Sequence, residues 1–117
     1  MSIRPQYSDA IFSGEKRFEF RRTTFKKKVD VVVVYSTSPI GLVVGEFDVK
    51  EIISDDVEGL WRRTKLSAGI DRRLFVDYFA GCSIGFAIAI GNVRRYARPR
   101  NLMTELGIRP PQSFAYL

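Results

Sequence analysis

The run "VDVVVVYSTS", residues 29–38, sets the first constraint on this chain. Valine is stiff at χ1 and packs well on a pleated surface, so four in a row mark a strand rather than a helix. A strand that is apolar at every position is expected to be central and covered on both faces. Such a strand needs partners beside it and further layers around it. The chain has 117 residues, enough for one core without disulfides or metal, and is expected to be a single domain, 1–117.

The flanking segments supply the partners. "LVVGEFDVKEIIS" reads as a second long strand with Gly45 at a bulge or bend. "CSIGFAIAIGNVRRY" reads as a third, with Ile84, Phe86, Ile88 and Ile90 on one face and Ala87 and Ala89 leaving room on the other. Three helices are predicted. "RPQYSDAIFSG" has Pro5 in its first turn and Gly14 at its C-cap. "DDVEGLWRRTK" follows an aspartate cap and places Trp61 in the core. In "GIDRRLFVDYFAG", Asp71 caps, Ile70 staples onto Phe75, and Leu74, Phe75, Tyr78 and Phe79 form the apolar stripe. "RNLMTELG" predicts a last helical turn, and "RPPQSFAYL" a short edge strand. The expected architecture is α+β, helices around a small curved sheet or barrel.

Composition removes several chemistries. There is no histidine, so His-assisted nucleophiles are excluded and any acid or base must be Lys, Glu, Asp or Tyr. The single cysteine, Cys82, permits no internal disulfide and reads as a small apolar residue. Neither a metal nor a cofactor is expected. No apolar run approaches the roughly 18 residues of a membrane helix, and the N-terminus lacks a signal-peptide pattern, so a soluble, cytoplasmic protein with no membrane partner is expected. The net charge of +6 favours an anionic partner.

Residues 14–22, "GEKRFEFRR", concentrate charge around an alternating strand. Phe18 and Phe20 are expected to face the core, with Arg17, Glu19 and Arg21 opposite. Glu19 and Arg21 share a face and can pair. Strict alternation would put Lys16 on the Phe18 side, so a bend after Gly14 is needed to bring it beside them. Read alone, the stretch is either a charged cleft or a solvated polar edge.

Gly14, Lys16, Glu19 and Arg21 spell G-x-K-x-x-E-x-R, which resembles the signature of the ASCH domain family of the PUA-like superfamily. "SIRPQYSDAIFSGEK" is similar to the helix leading into that signature, and "VVVVYSTSPIGLVVGEF" to the strand, turn and strand after it. "LWRRTKLSAGIDRRLFVDYFAG" and "PPQSFAYL" resemble the helical insert and tail of one microbial subgroup, so the likeness spans nearly the whole chain. It implies a small PUA-like mixed β-barrel with helices packed around it and a cleft lined by the signature. It implies an RNA, nucleotide or nucleoside ligand, bound by a recognition module with a regulatory role. Some relatives instead hydrolyse an acylated cytidine nucleoside or cut RNA. In the amidohydrolases the motif lysine is catalytic and works with a threonine three positions on. Lys16 matches the lysine, whereas Glu19 stands in place of the threonine, which tilts the expectation toward recognition. Were the chain an enzyme, Lys16 and Glu19 would be its catalytic pair.

Further candidates flank the signature. Arg22 extends its basic end. Ser36, Thr37 and Ser38 offer hydroxyls and amides at a strand end, suited to phosphate or base contacts or simply to a turn. Arg94, Arg95 and Tyr96 combine phosphate-holding guanidiniums with a stacking ring. "FKKK", 25–28, would extend the basic surface, and Gln112 and Ser113 would add to the cleft.

Overall fold

The computed structural model describes residues 1–101. The predicted last helix and edge strand, with Gln112 and Ser113, fall largely or wholly on 102–117 and lie outside the described residues. In chain order the elements are β1 (Ser2–Ile3), α1 (Pro5–Ser13), β2 (Phe18–Arg21), β3 (Val31–Ser36), β4 (Leu42–Asp56), α2 (Val57–Thr64), a 3₁₀ turn (Lys65–Ser67), α3 (Arg72–Tyr78) and β5 (Ile84–Arg100). The strands form one mixed sheet in the order β1-β3-β4-β5-β2. Among the described residues only the β1–β3 pairing is parallel. The two long strands β4 and β5 make an antiparallel ribbon, and α2, the 3₁₀ turn and α3 are an excursion between them.

Local signals explain the element ends. Pro5 begins α1, and Gly14 closes it in the left-handed region at φ 90°, which a side chain would resist. The Asp56 side chain accepts from the Gly59 amide at 2.8 Å, and Asp71 does the same for Leu74 at 2.9 Å. Both aspartates thus satisfy N–H groups that a helix start leaves without partners. The β3–β4 connection turns at Thr37–Ile40, and the β4–β5 register shifts between Val43 and Gly45, where a bend was expected.

Two apolar clusters form among the described residues. One gathers Met1, Ile3, Ile11, Val32, Val34, Phe47, Ile88 and Ile90. The other gathers Phe20, Leu60, Ala68, Phe75, Phe79 and Ala87, with Trp61 and Cys82 partly buried against it. Ala87 lies opposite Phe20 in the β5–β2 ladder, and its small side chain leaves room for the Phe75 and Phe79 rings, 5.0 and 6.3 Å from Phe20.

Three expectations need correction. The valine strand is not covered on both faces: Val32 and Val34 are buried, but Val33 is half-buried and Val31 is 43% exposed. β1 is only two residues long and pairs with Tyr35 and Ser36, so it does not reach the start of β3. Leu74 is exposed rather than part of the α3 stripe, because the seven-residue helix turns only Phe75 fully inward. Ile84, at the tip of the ribbon, is exposed as well.

Candidate functional site

The signature residues meet where the two edges of the sheet approach. After Gly14 the chain doubles back: the Lys16 amide donates to the Ala10 carbonyl at 3.0 Å and the Arg17 amide to Ser67 at 2.9 Å. Only at Phe18 does regular strand begin. This bend frees Lys16 from strand alternation and turns it inward, leaving it 3% exposed.

Lys16 Nζ donates to the Ala68 carbonyl at 2.9 Å and lies 3.9 Å from Glu19 Oε1. It also sits 4.7 Å from the Phe20 ring centre and 5.4 Å from that of Tyr7. Arg21 Nη2 donates to Glu19 Oε2 at 2.8 Å and to the Ser2 carbonyl at 3.0 Å. Burial pushes the Lys16 amine below its ordinary pKa; the Glu19 carboxylate pulls it back up, and Arg21 adds a smaller downward push. Desolvation therefore wins over the ion pair.

These groups line a cavity of about 410 Å³ together with Arg4, Tyr7, Ile70 and Leu74, among others, a size in the range of small-ligand sites. Asp77 and Tyr78 of α3 complete the wall. Arg22 also lines it: its Nε donates to the Tyr78 carbonyl at 2.6 Å, and its guanidinium stacks 4.6 Å from the Tyr78 ring centre. Burial raises the Tyr78 phenol above its ordinary pKa, so it stays a neutral donor across the neutral range.

The other candidates lie outside this lining. The Ser36 hydroxyl is buried and receives a hydrogen bond from Ser8 at 3.2 Å. Thr37 is half-buried, and its amide donates to Ile3, which does line the cavity; Ser38 is exposed beside it. Arg94 is engaged by acids of β4, Glu46 at 2.8 Å and Asp48 at 2.6 Å, while Tyr96 donates to Glu46 at 2.8 Å. Arg95 lies 3.6 Å from Asp9 and 5.0 Å from the Phe12 ring centre. In the lysine run, Lys28 is 3.9 Å from Asp30.

Sequence reading missed Arg4, Tyr7, Asp77 and Tyr78 as lining. The only signal for them was position: Arg4 and Tyr7 flank the start of the helix before the signature, and Tyr78 had been assigned wholly to a core stripe. Among the described residues no group of three or more His, Cys, Asp or Glu side chains is placed to hold a metal ion. No helix of the described residues is long and apolar enough to cross a membrane.

A bent signature strand, a charged cavity at the meeting edges and a mixed sheet under inserted helices define a class, and the chain belongs to it: residues 1–102 match the ASCH domain. An ASCH domain-containing ribonuclease of Zymomonas mobilis is 32% identical over 122 residues, a match that spans all of this chain and 82% of that protein. Crystal structures of the Zymomonas mobilis ASCH protein and of a tyrosine-to-phenylalanine variant share the fold at a TM-score of 0.91 and 30% identity. They are matched over 100% of this chain and 85% and 87% of theirs. Two longer Ureaplasma parvum proteins also match along the whole chain, ATP synthase subunit alpha at 31% identity and large ribosomal subunit protein uL22 at 30%. The chain spans 15% and 38% of their respective lengths.

Proposed function

We propose that this chain binds single-stranded RNA, taking one unstacked base into the cavity floored by Lys16, Glu19 and Arg21. The observation that carries this reading is the charge balance of that floor. Glu19 and Arg21 neutralise each other at 2.8 Å, and burial draws Lys16 toward its uncharged form. Such a floor suits a neutral, hydrogen-bonding base better than a phosphate. Glu19 Oε1, with Lys16 at 3.9 Å, accepts from a base amino group. Tyr7, Phe20 and Tyr78 supply aromatic surface for the base. Phosphates stay at the mouth, near Arg4 and Arg22, with Thr37 and Ser38 bordering it through Ile3. The ribonuclease name carried by a relative 32% identical supports RNA as the polymer.

The test is fluorescence anisotropy with a labelled single-stranded RNA. Affinity is expected to fall steeply between about 50 and 200 mM salt. It is expected to weaken in Arg21→Ala and to be competed by nucleosides but not by inorganic phosphate. No binding at low salt overturns the reading.

Cleavage is the second reading, favoured by that relative and by the lowered pKa of the buried Lys16 amine. Nζ would take the proton of a ribose 2′-hydroxyl as O2′ attacks the adjacent phosphorus. The bond to the 5′-oxygen then breaks, and water protonates the leaving oxygen. RNA products that vanish with Lys16→Ala and with 2′-O-methyl RNA would support it. Acylated cytidine, incubated in parallel, tests the nucleoside amidohydrolase alternative.

A further inference from the structure

A lysine on a four-carbon stem has no fixed position of its own, yet the proposed pocket needs Nζ at one place on its floor. The segment joining the 3₁₀ turn to α3 supplies that constraint. The Ser67 carbonyl receives the Arg17 amide at 2.9 Å, and the Ala68 carbonyl receives Lys16 Nζ at 2.9 Å. Gly69 comes next, with φ +66°, and Ile70 lines the cavity. A Cβ added to Gly69 would overlap Lys16 Cβ and Cγ and come within 3.0 Å of its Cα. The lysine stem therefore fills the space that a side chain at position 69 would take.

We propose that Gly69 is a positioning residue for this pocket: the lack of a side chain there lets the Lys16 stem lie on segment 67–70, which aims Nζ at the Ala68 carbonyl. The functional consequence rests on the RNA-pocket reading, but the contact itself does not. Two other glycines provide the comparison. Gly14 and Gly81 also have positive φ, 90° and 84°, but a Cβ at either meets nothing within 4 Å. Substitution at Gly81 thus carries backbone strain alone, whereas substitution at Gly69 carries strain and displaces Lys16.

Displacement changes what surrounds the amine. In the present arrangement Nζ shares its cavity with Glu19 and Arg21 of β2, Tyr7 of α1, and Asp77 and Tyr78 of α3. With Gly69→Ala the 67–70 backbone has to draw back from Lys16, because no rotamer moves its Cβ, and Nζ loses the Ala68 carbonyl and part of the burial that lowers its pKa.

The experiment is a ¹³C NMR titration of the lysine Cε resonances in RNA-free protein, with Lys16 assigned by the signal missing from Lys16→Met. In the wild type and in Gly81→Ala, Lys16 is expected to titrate below the surface lysines. In Gly69→Ala it is expected to join them, and RNA affinity is expected to drop about tenfold, as for the loss of one well-placed hydrogen bond. Affinity in Gly81→Ala is expected to stay within about twofold. An unchanged Lys16 titration in Gly69→Ala overturns the proposal.

Should Gly69→Ala fail to fold, the double variant Lys16→Gly/Gly69→Ala decides. Removing both Cβ and Cγ at position 16 should relieve the overlap, leaving it as stable as Lys16→Gly/Gly81→Ala. A double variant that unfolds or shows no such coupling overturns the proposal. Expected titrations without RNA binding by any variant would instead sink the pocket reading and leave the role of Gly69 standing.

Discussion

Arg21 on β2 donates through Nη2 to the Ser2 carbonyl on β1 at 3.0 Å, so one guanidinium spans the two edges of the sheet. The same nitrogen holds Glu19 at 2.8 Å. The residue that pairs the pocket's carboxylate therefore also ties the sheet edges together. Arg21→Ala would leave Glu19 buried without its nearest cation, and stability is expected to fall by about 3 kcal/mol. Arg21→Lys should recover only part of this, since a point charge cannot reproduce a planar fork. Urea midpoints of the three proteins check it; an unchanged midpoint in Arg21→Ala would refute the link.

Lys16 makes stability depend on pH. Its amine titrates below the ordinary 10.5 in the folded protein, so the unfolded chain binds more protons between the folded value and 10.5. Stability rises with pH wherever the unfolded state binds more protons. The cost of burying the charged amine is thus fully present below the folded pKa and is relieved as pH climbs toward 10.5. The stability of the wild type relative to Lys16→Met is expected to increase over that window, measured by urea denaturation from pH 7 upward. A difference that stays flat or falls would contradict the desolvated lysine.

The mouth and the far ribbon should behave differently toward RNA. Arg22→Ala removes a cation at the cavity and is expected to lower the slope of log affinity against log salt by about one. Arg94 is already engaged by Glu46 and Asp48, so Arg94→Ala is expected to leave both affinity and slope unchanged. Equal effects from the two substitutions would move the RNA track onto the β4–β5 ribbon.

The cavity stands on an aromatic support. Phe75 is 1% exposed, with the Phe20, Trp61 and Phe79 ring centres each 5.0 Å away, and Phe20 in turn lies under Lys16 Nζ. Phe75→Ala is expected to cost about 3–5 kcal/mol and to weaken RNA binding through Phe20. Ile84→Ala, on the exposed ribbon tip, should change stability by less than about 0.5 kcal/mol. Thermal and urea unfolding of the two variants provide the comparison.

Short-range chemistry was the readable part of this chain. The Pro5 start, the Gly14 stop and both aspartate caps act within a few residues, and each is where capping rules place it. Phe18 and Phe20 do reach the core, but Glu19 is buried too and lines the same cavity as Phe20 instead of facing away from it. The long-range part was not readable. Which valines of β3 are covered is decided by residues far away in the chain: Val32 and Val34 pack with Met1, Ile11 and Ile88, while Val31 stays exposed. Arg94 looked like a free phosphate ligand because its acids, Glu46 and Asp48, are 48 and 46 residues away. Lys16, Glu19 and Arg21 were legible as a group only through their signature spacing. The Ala68 carbonyl that anchors Lys16, 52 positions along, left no trace in the pattern.

The excursion between β4 and β5 divides the cavity into parts of different ancestry in the chain. The floor comes from β1, β2 and the bend before it, while Ile70, Leu74, Asp77 and Tyr78 come from a detour that leaves the ribbon at Asp56 and rejoins it at Ile84. Asp56 and Ile84 face each other in the ladder, so the detour starts and finishes at one spot. The ladder thus fixes both of its ends, while Phe75 and Phe79 along it pack back onto Phe20 of β2. Because that detour also carries the Ser67 and Ala68 carbonyls that receive the Arg17 amide and the Lys16 amine, a change in its path would move wall and floor together.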